Sequence, residues 1–172
     1  LLDPASSNYL STLVRVRSGE AEHELALAWI DISTGSFSVS STTSSELGAT
    51  LARLEPRELV LSETLYQDER LRSRIHLDDR SITIEAPSFF DSQLAHERLR
   101  DVFKIATIDG FGTFTRAEMS AAGAILAYVE KTQIGERPVL MRPRREEADA
   151  TLFIDAATRA DPALSKTLSG ER

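Results

Sequence analysis

Cysteine is absent from all 172 residues, which excludes disulfides, thiolate metal sites and thiol redox chemistry. No apolar stretch approaches the roughly 20 residues of a membrane-spanning helix, and the start lacks the basic and apolar regions of a secretion signal. The expected compartment is the cytoplasm, with no membrane partner. Leu1 stands where an initiator methionine would, as in a piece cut from a longer protein. Positive charge is also short: 20 Lys and Arg against 27 Asp and Glu leave a net charge of −7. Proteins that grip the phosphate backbone need a basic face to release counterions, so the chain as a whole repels DNA. Any DNA contact would have to come from a local basic patch.

Several motifs that carry chemistry are missing. No Gly-x-x-x-x-Gly-Lys-Ser/Thr loop is present to cradle nucleotide phosphates. Ser40, Ser41, Ser44 and Ser45 have no Gly-x-Ser-x-Gly setting, so caps and turns account for them. His23, His76 and His96 are far apart, with no metal-ligand spacing, and read as surface histidines. No catalytic, cofactor-binding or metal-binding residue is assigned. What remains is an ordinary globular composition, 41% hydrophobic and 27% charged. A chain of this size buries roughly 70% of its unfolded surface, enough for one domain or two small ones.

Period-2 patterning dominates the first part. In residues 9–17, Leu10, Val14 and Val16 share one side and Arg15 and Arg17 the other, which predicts a half-exposed strand. After Ser18-Gly19-Glu20, Leu25 to Ile30 is apolar on both sides, as in a central strand covered twice. Thr34-Gly35 turns the chain into Ser36 to Ser40, with Phe37 and Val39 inward. The period then becomes helical: Ser44 and Ser45 offer an N-cap, and Leu47, Leu51 and Leu54 follow before Pro56. Glu58 to Leu61 predicts a buried strand, Asp68 to Ile75 a helix, 81–85 a strand and 92–103 a helix. The order β-β-β-α-β-α-β-α gives a mixed sheet with helices on its faces, as in the ribonuclease H-like fold, although other mixed α/β folds share the pattern.

Enzymes on that sheet hold two magnesium ions with carboxylates on the first strand, the first helix and the end of the fourth strand. Here the first and fourth strands carry none at those places, and the nearest acids, Asp31, Glu55 and Glu63, do not match. They read as solvated or capping groups. Tyr9, Trp29, Phe37, Phe89, Phe90 and Phe103 read mostly as core. Adjacent Phe89 and Phe90 are the expected exception, one of them free to anchor another domain or a partner.

Near residue 107 the character changes, and glycines at 110 and 112 interrupt the periodicity. Thr115 and Glu118 have capping-box spacing, and Met119, Ala122, Leu126 and Val129 predict a long helix with a bundle seam. Its small residues, Ala121 to Ala124, invite close approach by a helix expected outside this sequence. Arg137, Arg142, Arg144 and Arg145, interleaved with Glu136, Glu146 and Glu147, predict a solvated loop with local ion pairs, direct DNA contact being the lesser reading. Thr151 to Ile154 predicts a short strand with Asp155 as a cap, and Pro162 interrupts any extended ladder after it.

Leu152-Phe153-Ile154-Asp155-Ala156-Ala157-Thr158-Arg159, Thr167-Leu168-Ser169-Gly170-Glu171-Arg172 and Tyr128-Val129-Glu130-Lys131-Thr132-Gln133 resemble the opening of the core domain in the MutS family of bacterial DNA mismatch-repair proteins. The resemblance runs back through Ala28-Trp29-Ile30-Asp31-Ile32-Ser33-Thr34-Gly35, Leu54-Glu55-Pro56-Arg57-Glu58-Leu59 and Asp109-Gly110-Phe111-Gly112. Only Ala160-Asp161-Pro162-Ala163-Leu164 departs from the family's pattern there. The resemblance implies a ribonuclease H-like connector domain over 1–107 and the start of a mainly helical core domain over 108–172. It implies no chemistry in this fragment: the family's P-loop is missing, and so is the Phe-x-Glu motif by which a separate domain reads the mismatch. ATP, magnesium and mismatched DNA would belong to the parent protein, a homodimer, and MutL would dock on the connector. The competing expectations are an autonomous ribonuclease H-like metal nuclease and a small nucleic-acid-binding module.

Overall fold

β1 (Tyr9–Ser18) and β2 (Glu22–Asp31) pair antiparallel along their full length, Tyr9 opposite Asp31 and Ser18 opposite Glu22. In the computed structural model, which describes residues 8–18, 22–104, 114–133 and 139–146, this pair forms the middle of a six-stranded sheet. β3 (Phe37–Thr42) continues the antiparallel meander beside β2. α1 (Ser44–Leu54) then carries the chain across to β4 (Glu58–Ser62), which lies parallel to β1. α2 (Glu63–Gln67) and α3 (Glu69–Arg72) lead to β5 (Ile82–Glu85), parallel to β4. α4 (Ser92–Phe103) and α5 (Arg116–Thr132) follow, and β6 (Arg144–Arg145) closes the order β5-β4-β1-β2-β3-β6. The mixed sheet with flanking helices is the architecture expected from the sequence.

Strand alternation sorts the core into two layers. Leu10, Val14, Ala26, Ala28, Ile30, Phe37, Val39 and Val60 face α4 and α5, packing with Leu99, Met119, Ile125 and Val129. The alternate residues Leu13, Leu25, Leu27, Trp29, Leu59 and Leu61 face α1 and the short helices, meeting Leu47, Leu51, Leu54, Leu65 and Leu71. Each fully buried leucine contributes about 1.5–3 kcal/mol of transfer free energy. β1 is therefore not half-exposed as predicted. Leu13 is 0% exposed beneath this leucine layer, and Arg15 reaches back to Asp68 at 2.7 Å.

The helix ends show how local chemistry decides boundaries. Thr43, not Ser44 or Ser45, is the N-cap of α1, its hydroxyl accepting from the Glu46 N–H. Glu55 ends that helix in the left-handed conformation, φ 45°, just before Pro56. The helix predicted over 68–75 shrinks to α3, capped by Asp68, with Ile75 buried in the coil beyond it. Phe89 and Phe90 both pack against the α4/α5 layer, their ring centroids 6.5 Å apart, so neither is the free anchor expected. A short turn of 3-10 helix, Pro87–Phe90, lets adjacent aromatics face one core.

The largest departure concerns α5. Its predicted capping box is present, Thr115 and Glu118 each bonding the other's backbone N–H. Its expected neighbour, however, is α4 of this chain. A Cβ placed on Gly123 would lie 2.3 Å from the Cβ of Ala95 in α4. Every residue from Ala117 to Val129 is buried, so α5 is a layer of the sheet domain. The boundary expected near 107 falls within 105–113, outside the described residues. The strand and cap expected at 151–155 also lie outside them.

Candidate functional site: the α5 face and the β6 edge

The face of the sheet beneath α5 is held by polar contacts at three places. At the centre of β1, Thr12 is 0% exposed and its hydroxyl donates to the carbonyl of Ala121 at 2.7 Å. Beside it, the Ser11 hydroxyl donates to the Glu58 carbonyl at 2.8 Å, tying β1 to the start of β4. The predicted acids lie elsewhere. Asp31 accepts from the Ser33 N–H at 2.8 Å, and its bonds to Ser33 hold its carboxyl below the usual aspartate value. Glu55 caps α1, and Glu63 opens α2. Among the described residues no three His, Cys, Asp or Glu side chains cluster to hold a metal ion. His76 is exposed and His96 half-buried, while the side chain of His23 falls outside the description.

The second contact was not foreseen. Glu58 accepts from the Thr83 hydroxyl at 2.6 Å and from the phenol of Tyr128 on α5. Burial and the neighbouring Glu58 push the Tyr128 phenol up to about 12 from 10.0. A raised value means the neutral phenol stabilises the fold below pH 10.0, and that share is lost as pH rises through about 12. Next to it, Lys131 holds Glu85 at 2.7 Å and lies over the Phe89 ring. Tyr128→Phe should cost about 1 kcal/mol at neutral pH, read from urea unfolding. An unchanged midpoint would show that this bond contributes nothing.

The third contact gathers α5, β3 and β6 around one acid. Glu118 is 1% exposed and accepts from the Thr115 N–H at 2.8 Å, the Ser41 hydroxyl at 3.0 Å and the Arg145 guanidinium at 2.6 Å. Burial raises its pKa, but the bonds from Arg145, Thr115 and Ser41 outweigh that and bring it below the usual 4.5. Arg145 also lies over the Phe114 ring, 5.4 Å from its centre. Glu146 binds Arg53 of α1 at 2.6 Å, and its N–H donates to the Val39 carbonyl at 2.7 Å. The stretch predicted as a solvated loop therefore runs along the edge of β3. The arginine group separates: Arg145 is in the ion pair, Arg142 and Arg144 are exposed, and Arg137 lies outside the described residues.

Gly35 makes that edge possible. Its φ of +82° closes the β2–β3 turn, and a Cβ there would sit 2.2 Å from the Val139 carbonyl oxygen. The Gly35 carbonyl accepts from the Met141 N–H at 2.9 Å, which brings the segment before β6 alongside the start of β3. Between β3 and β6 a notch of about 240 Å³ opens, lined by Ser36, Phe37, Ser38, Met141, the arginines at 142, 144 and 145, and Glu146.

The family model described as MutS domain II matches residues 8–141, from the start of β1 through α5 to the segment just before β6. The chain belongs to the MutS domain II family. It is 51% identical over 172 residues to the DNA mismatch repair protein MutS of Rhizobium meliloti (strain 1021). The match takes in all of this chain and 19% of that protein, so the chain spans about a fifth of its curated relative. The match to domain II runs beyond α5, in keeping with that helix packing on the domain's own sheet. In this MutS domain II, the face that α5 covers is closed by its own side chains and backbone. The β6 edge carries an open notch flanked by charge.

Proposed function

We propose that this chain is the connector of a MutS-like mismatch-repair protein, a part that relays and docks rather than catalyses. The carrying observation is the MutS domain II match over residues 8–141, on a sheet whose first strand presents Thr12 to the α5 backbone. A ribonuclease H-like nuclease would use that strand for a metal-binding carboxylate. On this reading the parent protein, a homodimer, binds mismatched DNA and hydrolyses ATP with magnesium in domains outside this chain. The helical core domain then begins beyond residue 141. Coupling between distant sites is typically worth ~1–3 kcal/mol and travels through packed elements with discrete arrangements. The Glu118–Arg145 pair, which fastens the exit of the domain to α5, suits such a relay.

MutL docking is the partner contact of this reading. Excess purified chain should suppress recruitment of MutL by full-length MutS to a mismatched duplex. Undiminished recruitment with the chain at saturation would remove the docking assignment. In the same purified sample, magnesium- or manganese-dependent cleavage of nucleic acid would replace the connector reading with the nuclease.

A further inference from the structure

We propose that the notch between β3 and β6 is a receptor for an extended acidic segment of another protein, one that also carries an apolar side chain. The inference does not depend on the connector reading.

Positive charge at the notch is uncompensated among the described residues. Among those residues the acids at the notch are already engaged, Glu118 by Arg145 and Glu146, which lines it, by Arg53. Arg142 and Arg144 line the notch, are exposed, and have no ionic or hydrogen-bonding partner among the described residues. In a chain of net charge −7 this is a local positive site in a negative field. Guanidinium groups favour planar carboxylates, which they bind through paired hydrogen bonds.

Apolar surface is exposed in the same place. Val139 is 90% exposed and Met141 is 58% exposed, on the segment that leads into β6. Met141 and Phe37 form walls of the notch. A phosphate backbone has no use for such walls, whereas a peptide with a Leu or Phe beside its acids would cover them. Size points the same way. At about 240 Å³ the notch is smaller than the ~300–1,000 Å³ of small-molecule pockets and fits one or two side chains.

The sheet itself offers an edge there. β6 is its outermost strand, and no strand lies beyond it among the described residues. Outer strands recruit extended peptides through main-chain hydrogen bonds, with side-chain pockets supplying specificity.

The test uses the whole chain and a fluorescein-labelled peptide of alternating Glu and Leu, followed by anisotropy. Saturable binding is expected. The double variant Arg142→Glu/Arg144→Glu should weaken it by roughly tenfold or more. Met141→Ser should weaken it several-fold, and that loss should persist at physiological salt, where charge attraction is screened. Arg145 and Glu118 are untouched, so thermal unfolding should match the parent chain; if the charge reversal disturbs it, Arg142→Gln/Arg144→Gln takes its place with the same expected direction. Absence of peptide binding by the parent chain, or equal binding by the arginine variant, would overturn the proposal. Tighter binding of a DNA duplex than of the peptide would also overturn it, in favour of a phosphate site.

Discussion

Gly123→Ala is expected to destabilise the chain by about 1–3 kcal/mol, although alanine is the better helix former by ~1 kcal/mol. The sign is reversed by α4. An added Cβ would lie 2.3 Å from the Cβ of Ala95 and 2.5 Å from its Cα, against the 3.5–4.0 Å at which carbon atoms normally rest. The second of those atoms is backbone, so relief requires α4 to move as a body. That movement strains the packing of Leu99 and of Phe103, whose ring lies 6.3 Å from Phe37. Gly123→Leu should exceed about 3 kcal/mol for the same reason. Adding Ala95→Gly to Gly123→Ala should recover part of the loss, a coupling of about 1 kcal/mol, because one of the clashing atoms is then gone. A urea midpoint for Gly123→Ala at or above that of the parent chain would show that the helices are not this close.

The close approach was legible as a run of small residues from Ala121 to Ala124, but its partner was not. Small residues record that something comes near, without saying what. Heptad-like spacing of Met119, Ala122, Leu126 and Val129 fits a bundle seam as well as it fits a helix lying on a sheet. The opposing surface of Ala26, Ala28 and Val39 decides the matter, and it lies far away in sequence. The pattern of β1 is ambiguous in the same way. Arg15 and Arg17 suggested an open face, yet Leu13 between the more distant polar positions Ser11 and Arg15 is as buried as any residue in the core. The central strand and the β-β-β-α order were easier to read, since apolar side chains at every position from Leu25 to Ile30 leave little choice but burial on both faces.

The polar sites followed a similar rule. Contacts local in sequence were visible: the Thr115–Glu118 box is a spacing of three. The bonds that make Glu118 a junction come from Ser41 and Arg145, and those that engage Glu58 come from Thr83 and Tyr128. None of these pairs has a sequence signature, because sheet order and helix placement bring them together. One sign was nonetheless available. Glu118 sits on the apolar stripe of α5, between Ala117 and Met119, and an acid in such a place needs a cation once the helix is buried. Arg145 was the residue that supplied it, hidden within a charge run that looked solvated.

That pair carries the second large effect. Arg145→Ala should cost about 3–5 kcal/mol at neutral pH, because it leaves a carboxylate at 1% exposure with no counter-charge. Replacing both partners, as in Glu118→Gln/Arg145→Met, should cost less than Arg145→Ala alone, since no unpaired charge is then buried. Acid gives the independent check. In the native chain Glu118 has its pKa held below 4.5, so its contribution is complete above that pH and is lost as pH falls through the lowered value. Without Arg145 the burial effect prevails, the pKa rises, and the variant gains relative stability as acid protonates the stranded carboxylate. The difference in unfolding free energy between the native chain and Arg145→Ala should therefore be largest near neutrality and shrink as pH falls, first through the raised value of the variant and then below 4.5 as the native carboxyl protonates. A difference that stays constant from neutral to acid pH would mean that Arg145 acts through contacts other than its charge on Glu118, its packing on Phe114 among them, and that Glu118 is not the charge holding β6 to the sheet.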